Sequence, residues 1–302
     1  MSILEKLRTI VLLRKTYKNW ITIVLSISKY RRYEDTVEVI IPVLPRNGKE
    51  ASIPLPLIFG YAYAKMFQNS KISKLNINEA SLNFAYEETP LNFKAIDYGP
   101  VVDVFFHNTY GFLQVVDEVV VDIGANVGDS SIYFALKGAS RVIAVEPYPF
   151  TYNFASRNIN SNKFQDKILL INSGYGRDHL ARVNDKVISL GHSELKESSN
   201  GHDVQILSLK TIISTYDITC GILKMDCEGC EYNLLEESCD TLRIFKMIQL
   251  EYHYNQGGLV DKLESCGFKV RLTEPRKMTN KTALNPNCKV GYIYAEISDL
   301  KR

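Results

Sequence analysis

The stretch Val119–Pro147, VVVDIGANVGDSSIYFALKGASRVIAVEP, decides the fold. It reads as a buried strand, a glycine turn, a helix, a second buried strand and an acidic residue. Val119 to Ile123 is a continuous apolar, mostly β-branched run broken only by Asp122, the pattern of a parallel strand covered on both faces. Gly124, Asn126 and Gly128 form the turn. Glycine takes positive φ freely and asparagine tolerates it next best, so backbone donors of this turn are expected to face a ligand. The dinucleotide fingerprint G-x-G-x-x-G fails here twice, because Asn126 holds its second position and Asp129 its third. A carboxylate in the first turn of the following helix occupies the ground on which a pyrophosphate would sit. Glu146 ends the second strand, where a carboxylate accepts hydrogen bonds from ribose hydroxyls. The implied ligand has a ribose and no phosphate.

A second acidic group follows the strand Ile222–Asp226: Asp226, Glu228, Gly229 and Glu231. In open parallel sheets ligands gather at the carboxyl ends of strands, so this group belongs beside the glycine turn. The next strand, Lys246 to Tyr252, brings Glu251 and His253 to the same edge. Cys227 and Cys230 make a C-x-x-C whose second ligand pair is absent. A zinc site is therefore disfavoured, and small packing residues or a disulfide are expected instead.

Taken together, D-I-G-A-N-V-G-D (122–129), V-E-P (145–147) and K-M-D-C-E-G-C-E (224–231) resemble the FkbM-type S-adenosylmethionine-dependent methyltransferases, members of the class I Rossmann-like group. The resemblance runs from about Val116 to about Val270, roughly half the chain. It implies an α/β fold with a seven-stranded, mostly parallel sheet flanked by helices and closed by a C-terminal antiparallel hairpin. It implies S-adenosylmethionine as cofactor, with Asp122, Gly124, Asn126, Gly128, Asp129, Glu146, Pro147, Asn172 and Ser173 in contact with it. Asn172–Ser173 is equally well explained as a turn before Gly174. The groups available for catalysis are Asp226, Glu228, Glu251 and His253, serving methyl transfer to a hydroxyl of a sugar, glycan, glycolipid or other small metabolite. A nitrogen or carboxyl acceptor, or cofactor binding without catalysis, are the alternatives. No metal requirement is expected, since D-x-E is common at strand ends, although carboxylates of this kind attract hard cations.

The 302 residues carry a net charge of +2, which by itself argues neither for nor against nucleic acid. A nucleic-acid partner is not expected. The charge is uneven: residues 1–32 hold eight Lys or Arg against Glu5, leaving the remainder acidic. Apolar residues there follow helical spacing, so one or two amphipathic helices are expected. Docking on the protein itself is favoured over peripheral contact with an anionic membrane. Without a long apolar run or a signal peptide, a cytoplasmic location is expected. Residues 1–115 read as an extension with this helix, a hairpin turning at Asn47–Gly48, a helix over Tyr61–Phe67 and short strands LNFAY, NFKAI and VVDVF. Residues 116–302 form the catalytic domain. Between Gly174 and Asp203 no periodicity is clear. His179, His192 and His202 lie in that stretch without the spacing of metal ligands.

Overall fold

The computed structural model describes residues 10–11, 13–15, 17–30, 40–43, 51–54, 71–77, 81–95, 98–183, 201–253, 255–277 and 289–297. They fall into two units, 1–109 and 110–302. Lys6, Arg8, Arg31 and Arg32, the Asn47–Gly48 turn, the segment 61–67 and His192 lie outside the described residues.

In the first unit the helix α1 (Trp20–Tyr30) precedes strands β1 (Ile40–Val43) and β2 (Ala51–Pro54), which pair antiparallel. Strands β3 (Ile72–Ile77), β4 (Leu82–Tyr86) and β5 (Thr89–Phe93) form an antiparallel sheet in that order. The run VVDVF, expected as a strand, is instead part of helix α2 (Gly99–Phe106). Pro100 sits in its first turn, where its fixed φ favours a helix and its missing N–H costs nothing. Val101, Val102, Val104, Phe105 and Phe106 are buried, and Phe105 and Phe106 pack against Phe84 with ring centroids 5.3 and 5.1 Å away.

The second unit opens with β6 (Val119–Ile123), α3 (Asp129–Leu136), β7 (Arg141–Val145), α4 (Pro149–Ser161) and β8 (Ile168–Ile171). Strands β9 (Ser173–Tyr175), β10 (His179–Val183) and β11 (His202–Leu207) then make a small separate sheet, ordered β10-β11-β9. The stretch without clear periodicity thus contains β10 and borders β9 and β11. Helix α5 (Leu209–Thr215) starts at Ser208, whose hydroxyl accepts from the Thr211 N–H at 3.2 Å. There follow β12 (Gly221–Met225), a 3-10 helix (Cys230–Glu236), α6 (Cys239–Leu242), β13 (Phe245–Tyr252), α7 (Leu259–Ser265), β14 (Phe268–Leu272), β15 (Arg276–Lys277) and β16 (Lys289–Ile297).

The main sheet runs β14-β16-β13-β12-β6-β7-β8, with the two-residue β15 as an eighth strand on β16. From β13 to β8 every pairing is parallel, and β16 lies antiparallel between β13 and β14. The order reverses between β6 and β12, so the carboxyl ends of those strands flank the crevice in which a ligand settles. Beneath it, Val121, Ile123, Ile143, Leu223, Met225, Ile248 and Leu250 belong to one continuous buried core. No helix among the described residues is long and apolar enough to cross a membrane.

Candidate active site

Two charges in the middle of the sheet organise the crevice. Asp122 and Lys224 are each the fourth residue of their strand, and the parallel register sets them side by side. Both are buried, and Lys224 Nζ lies 2.9 Å from Asp122 Oδ1. Asp122 Oδ2 accepts from the hydroxyls of Ser130 and Ser131 at 2.7 and 2.6 Å, which ties α3 to β6. Lys224 also donates to the carbonyls of Gly124, at 2.7 Å, and Ile123, at 3.2 Å. Burial works against the ammonium, but Asp122, Asp226 and Asp129 outweigh it and raise its pKa. Asp122 is thus engaged with protein groups beneath the turn.

The glycine turn has positive φ at Gly124, Asn126 and Gly128 (76°, 48° and 83°), as its sequence requires. Four of its N–H donors, however, do not face outward. Gly124 and Ala125 N–H both donate to Val145 O at 3.0 Å, Gly128 N–H to Ala125 O at 2.8 Å, and Asn126 N–H to Glu146 Oε2 at 3.0 Å. What Gly124 admits is protein: a Cβ there would fall 1.9 Å from the Asp226 carbonyl oxygen. The first ligand turn and the strand end of the second are therefore in backbone contact.

Glu146 is 4% exposed, and its other oxygen accepts from Tyr148 N–H at 3.1 Å. Burial pushes its carboxyl up to about 8, while the two N–H donors and Lys224 pull against that. Asp129 is likewise buried and pushed up to about 7, with Lys224 opposing. Its negative charge is thus not fixed near neutral pH, and what keeps a phosphate away is a carboxyl group already occupying the helix start. Asn172 spends its amide N–H donors on the Glu146 and Pro147 carbonyls, at 2.9 and 3.0 Å, and so shapes the loop rather than reaching outward with them.

A cleft of about 370 Å³ opens over these strand ends, with Gly124, Pro147, Tyr148, Tyr175, Glu228 and Asn233 in its wall. Ser173, directly before wall residues Gly174 and Tyr175, is 1% exposed, and its hydroxyl has no partner among the described residues. The cleft wall thus combines apolar residues with Arg177, His179 and Glu228, and the buried Ser173 hydroxyl adjoins it in sequence.

On the neighbouring strand ends a polar cluster assembles. His253, 5% exposed, places Nδ1 3.1 Å from Glu231 Oε1 and Nε2 3.2 Å from Glu228 Oε2, with Asp226 Oδ1 3.8 Å away. Burial disfavours its charge, yet hydrogen bonds to Glu228 and Glu231 hold its pKa well above the usual value. These contacts favour the protonated imidazole and so work against its serving as a base. Glu231 is fully buried and also accepts from the N–H groups of His253, at 3.1 Å, and Gly229, at 2.8 Å. Asp226 Oδ2 accepts from Tyr110 O–H at 3.0 Å, and burial followed by the charge of Asp226 raises the Tyr110 pKa far enough to keep it a donor. Tyr110 and Lys224 escaped the sequence reading. Lys224 had left a signal, a lysine inside an otherwise apolar strand that needs a buried counter-charge; Tyr110, more than a hundred residues from its partner, had left none. One ligand atom each from Asp226, Glu251 and His253 lies within 4.8 Å of the others, so the three can accept a cation once His253 gives up its proton.

Strand order, the turn after β6 and the acid after β7 define a class I Rossmann-like methyltransferase fold. Residues 122–270, just under half of the chain, match the methyltransferase FkbM domain, and S-adenosylmethionine is the cofactor. A curated relative, the tRNA(Phe) (4-demethylwyosine(37)-C(7)) aminocarboxypropyltransferase of Pyrococcus horikoshii, is 41% identical over 63 residues. That match spans 21% of this chain and 21% of the relative's length. Among solved structures, M. jannaschii TYW2 in complex with AdoMet is similar at 15% identity over 74% of this chain and 91% of that one, with a TM-score of 0.39. The precorrin-6y C5,15-methyltransferase of Geobacter metallireducens GS-15 is similar at 18% identity over 63% and 87%, with a TM-score of 0.35.

Proposed function

We propose that this methyltransferase acts on a hydroxyl oxygen of a sugar, glycan, glycolipid or other small metabolite, with Asp226 as the base. The observation that carries the reading is the placement of Asp226 at the end of β12, in backbone contact with Gly124 and gripped from two sides by Tyr110 and His253. When bound, S-adenosylmethionine supplies an electrophilic methyl group on a sulfonium. Glu146 holds the ribose hydroxyls, Ser173 offers its hydroxyl to the nucleoside, and Pro147 and Tyr148 cover it. The protein's remaining task is to aim an acceptor and remove its proton, since alignment supplies much of the rate and proton removal the rest. Asp226 accepts that proton on an oxygen whose direction Tyr110 fixes, while His253 keeps Glu228 and Glu231 from repelling it. Glu251 is the second carboxylate in reach.

The change Asp226→Asn keeps shape and hydrogen bonding and removes basicity. Methyl transfer should fall by about 10²-fold or more, with S-adenosylhomocysteine affinity and melting temperature retained. Unaltered turnover would transfer the role to Glu251. Acceptors are identified by transfer of labelled methyl to a panel of glycans, glycolipids and tRNA. Labelling of tRNA alone would replace the hydroxyl-metabolite reading with an RNA one, the substrate class that the Pyrococcus relative's name carries. No metal is required in this proposal. Activity that is lost with EDTA and restored by Mg²⁺ would refute that point.

A further inference from the structure

Cys227 and Cys230 form a disulfide, with Cα atoms 5.5 Å apart, in the wall of the cleft. The four residues it closes carry unusual backbone: Glu228 has φ 57° and Gly229 φ 120°. Glu228 has a side chain that such a φ disfavours, so the conformation persists only while its surroundings enforce it. Three constraints do so. The disulfide closes the turn, Glu231 Oε2 accepts the Gly229 N–H, and His253 Nε2 holds the Glu228 carboxylate. The same turn begins at Asp226, whose carbonyl presses on Gly124. The cross-link therefore fixes both the catalytic carboxylates and one side of the cofactor cleft. Both cysteines are half-buried residues packed against the edge of the core.

We propose that Cys227–Cys230 is a thiol–disulfide exchange site, and that its reduction by a dithiol loosens the Asp226–Glu231 turn and lowers affinity for the cofactor. The inference rests on the cofactor's occupying the cleft as proposed above. In the exchange, a thiolate of the external dithiol bonds to the Cys227 sulfur as the Cys227–Cys230 bond breaks. The electron pair leaves on Cys230, which takes a proton. Charge develops there because Cys227 lies 3.7 Å from Glu231 Oε2, and a neighbouring carboxylate makes its thiolate the poorer leaving group. The second thiolate of the dithiol then attacks its own sulfur in the mixed disulfide and expels Cys227, which takes the remaining proton. The protein disulfide gains two electrons, and the reductant ends as a disulfide. A second cross-link, Cys239–Cys266, lies outside the turn and serves as internal control.

The test is calorimetric titration of S-adenosylhomocysteine into the full chain, as isolated, after dithiothreitol, and after reoxidation, with alkylation and mass measurement reporting each cysteine. The oxidised protein should bind at least about fivefold more tightly, within the usual range for coupled sites, and reoxidation should restore the loss. The pair Cys227→Ser/Cys230→Ser should match the reduced protein and ignore dithiothreitol, whereas Cys239→Ser/Cys266→Ser should keep the response. Should the serine pair fail to fold, the reduced and reoxidised wild-type protein decides alone. Equal affinity in both states overturns the proposal, as does reduction that proceeds only with unfolding, or a response that disappears with Cys239 and Cys266. Absence of binding in every state overturns the cofactor placement, and this proposal with it.

Discussion

Glu146 shows how one residue can carry a cofactor's signature into solution measurements. Its folded pKa of about 8 lies above the ordinary carboxylate value of 4.5, so the folded protein favours the neutral form. The stability that this neutral carboxyl contributes is complete below about pH 4.5 and is lost as pH rises through about 8. Ribose hydroxyls donate to the ionised form and favour it. Binding of S-adenosylhomocysteine between these limits should therefore release a proton, measured as a buffer-dependent heat in calorimetry, and Glu146→Gln should abolish it. An equal heat in buffers of different ionisation enthalpy would remove the ribose contact. At this scale the sequence was legible where chemistry is local. Glu146 is placed by its strand, and Asp226 by the next motif, so both could be named in advance. The carboxylate partners of His253 were not legible, because they come from the β12 turn and no spacing along β13 reveals them.

Among the elements, the glycine turn is the most constrained. Gly124→Ala would place a methyl group 1.9 Å from a backbone carbonyl, at a φ that also disfavours any side chain. Because backbone and not a flexible side chain must yield, we expect a loss of several kcal/mol, in the range of severe packing and strain mutants. Chemical denaturation is the measurement, and a variant within 1 kcal/mol of wild type would refute the close approach. Gly267→Ala is a useful contrast, since no atom lies within 4 Å of its added Cβ. The parallel core strands were legible because they are continuous apolar runs. VVDVF was not, since four apolar residues around one aspartate fit a strand and a buried helix equally well. Strand β10 was hidden for the opposite reason: it is half-exposed, with polar residues and the 58% exposed Leu180 diluting the alternation.

Over the whole molecule, the basic N-terminus raises a choice between docking and membrane contact. Leu13, Tyr17 and Ile23 are buried, whereas Val11, Ile21 and Leu25 are exposed. The buried side favours docking, so deletion of residues 1–32 should lower the melting temperature and leave cofactor affinity intact. Salt-sensitive sedimentation with anionic liposomes that vanishes on deletion, at unchanged melting temperature, would decide for the membrane. Cys239–Cys266 reaches across the C-terminal unit in another way. The cross-link encloses β13 and α7 in one covalent ring, and with them Glu251 and His253. The turn at Gly257–Gly258 lies on that ring. Were a protease to nick the chain there, no piece would come away: the two polypeptides would stay a single particle of unaltered mass but for one added water, and would part only when a reductant opened the ring.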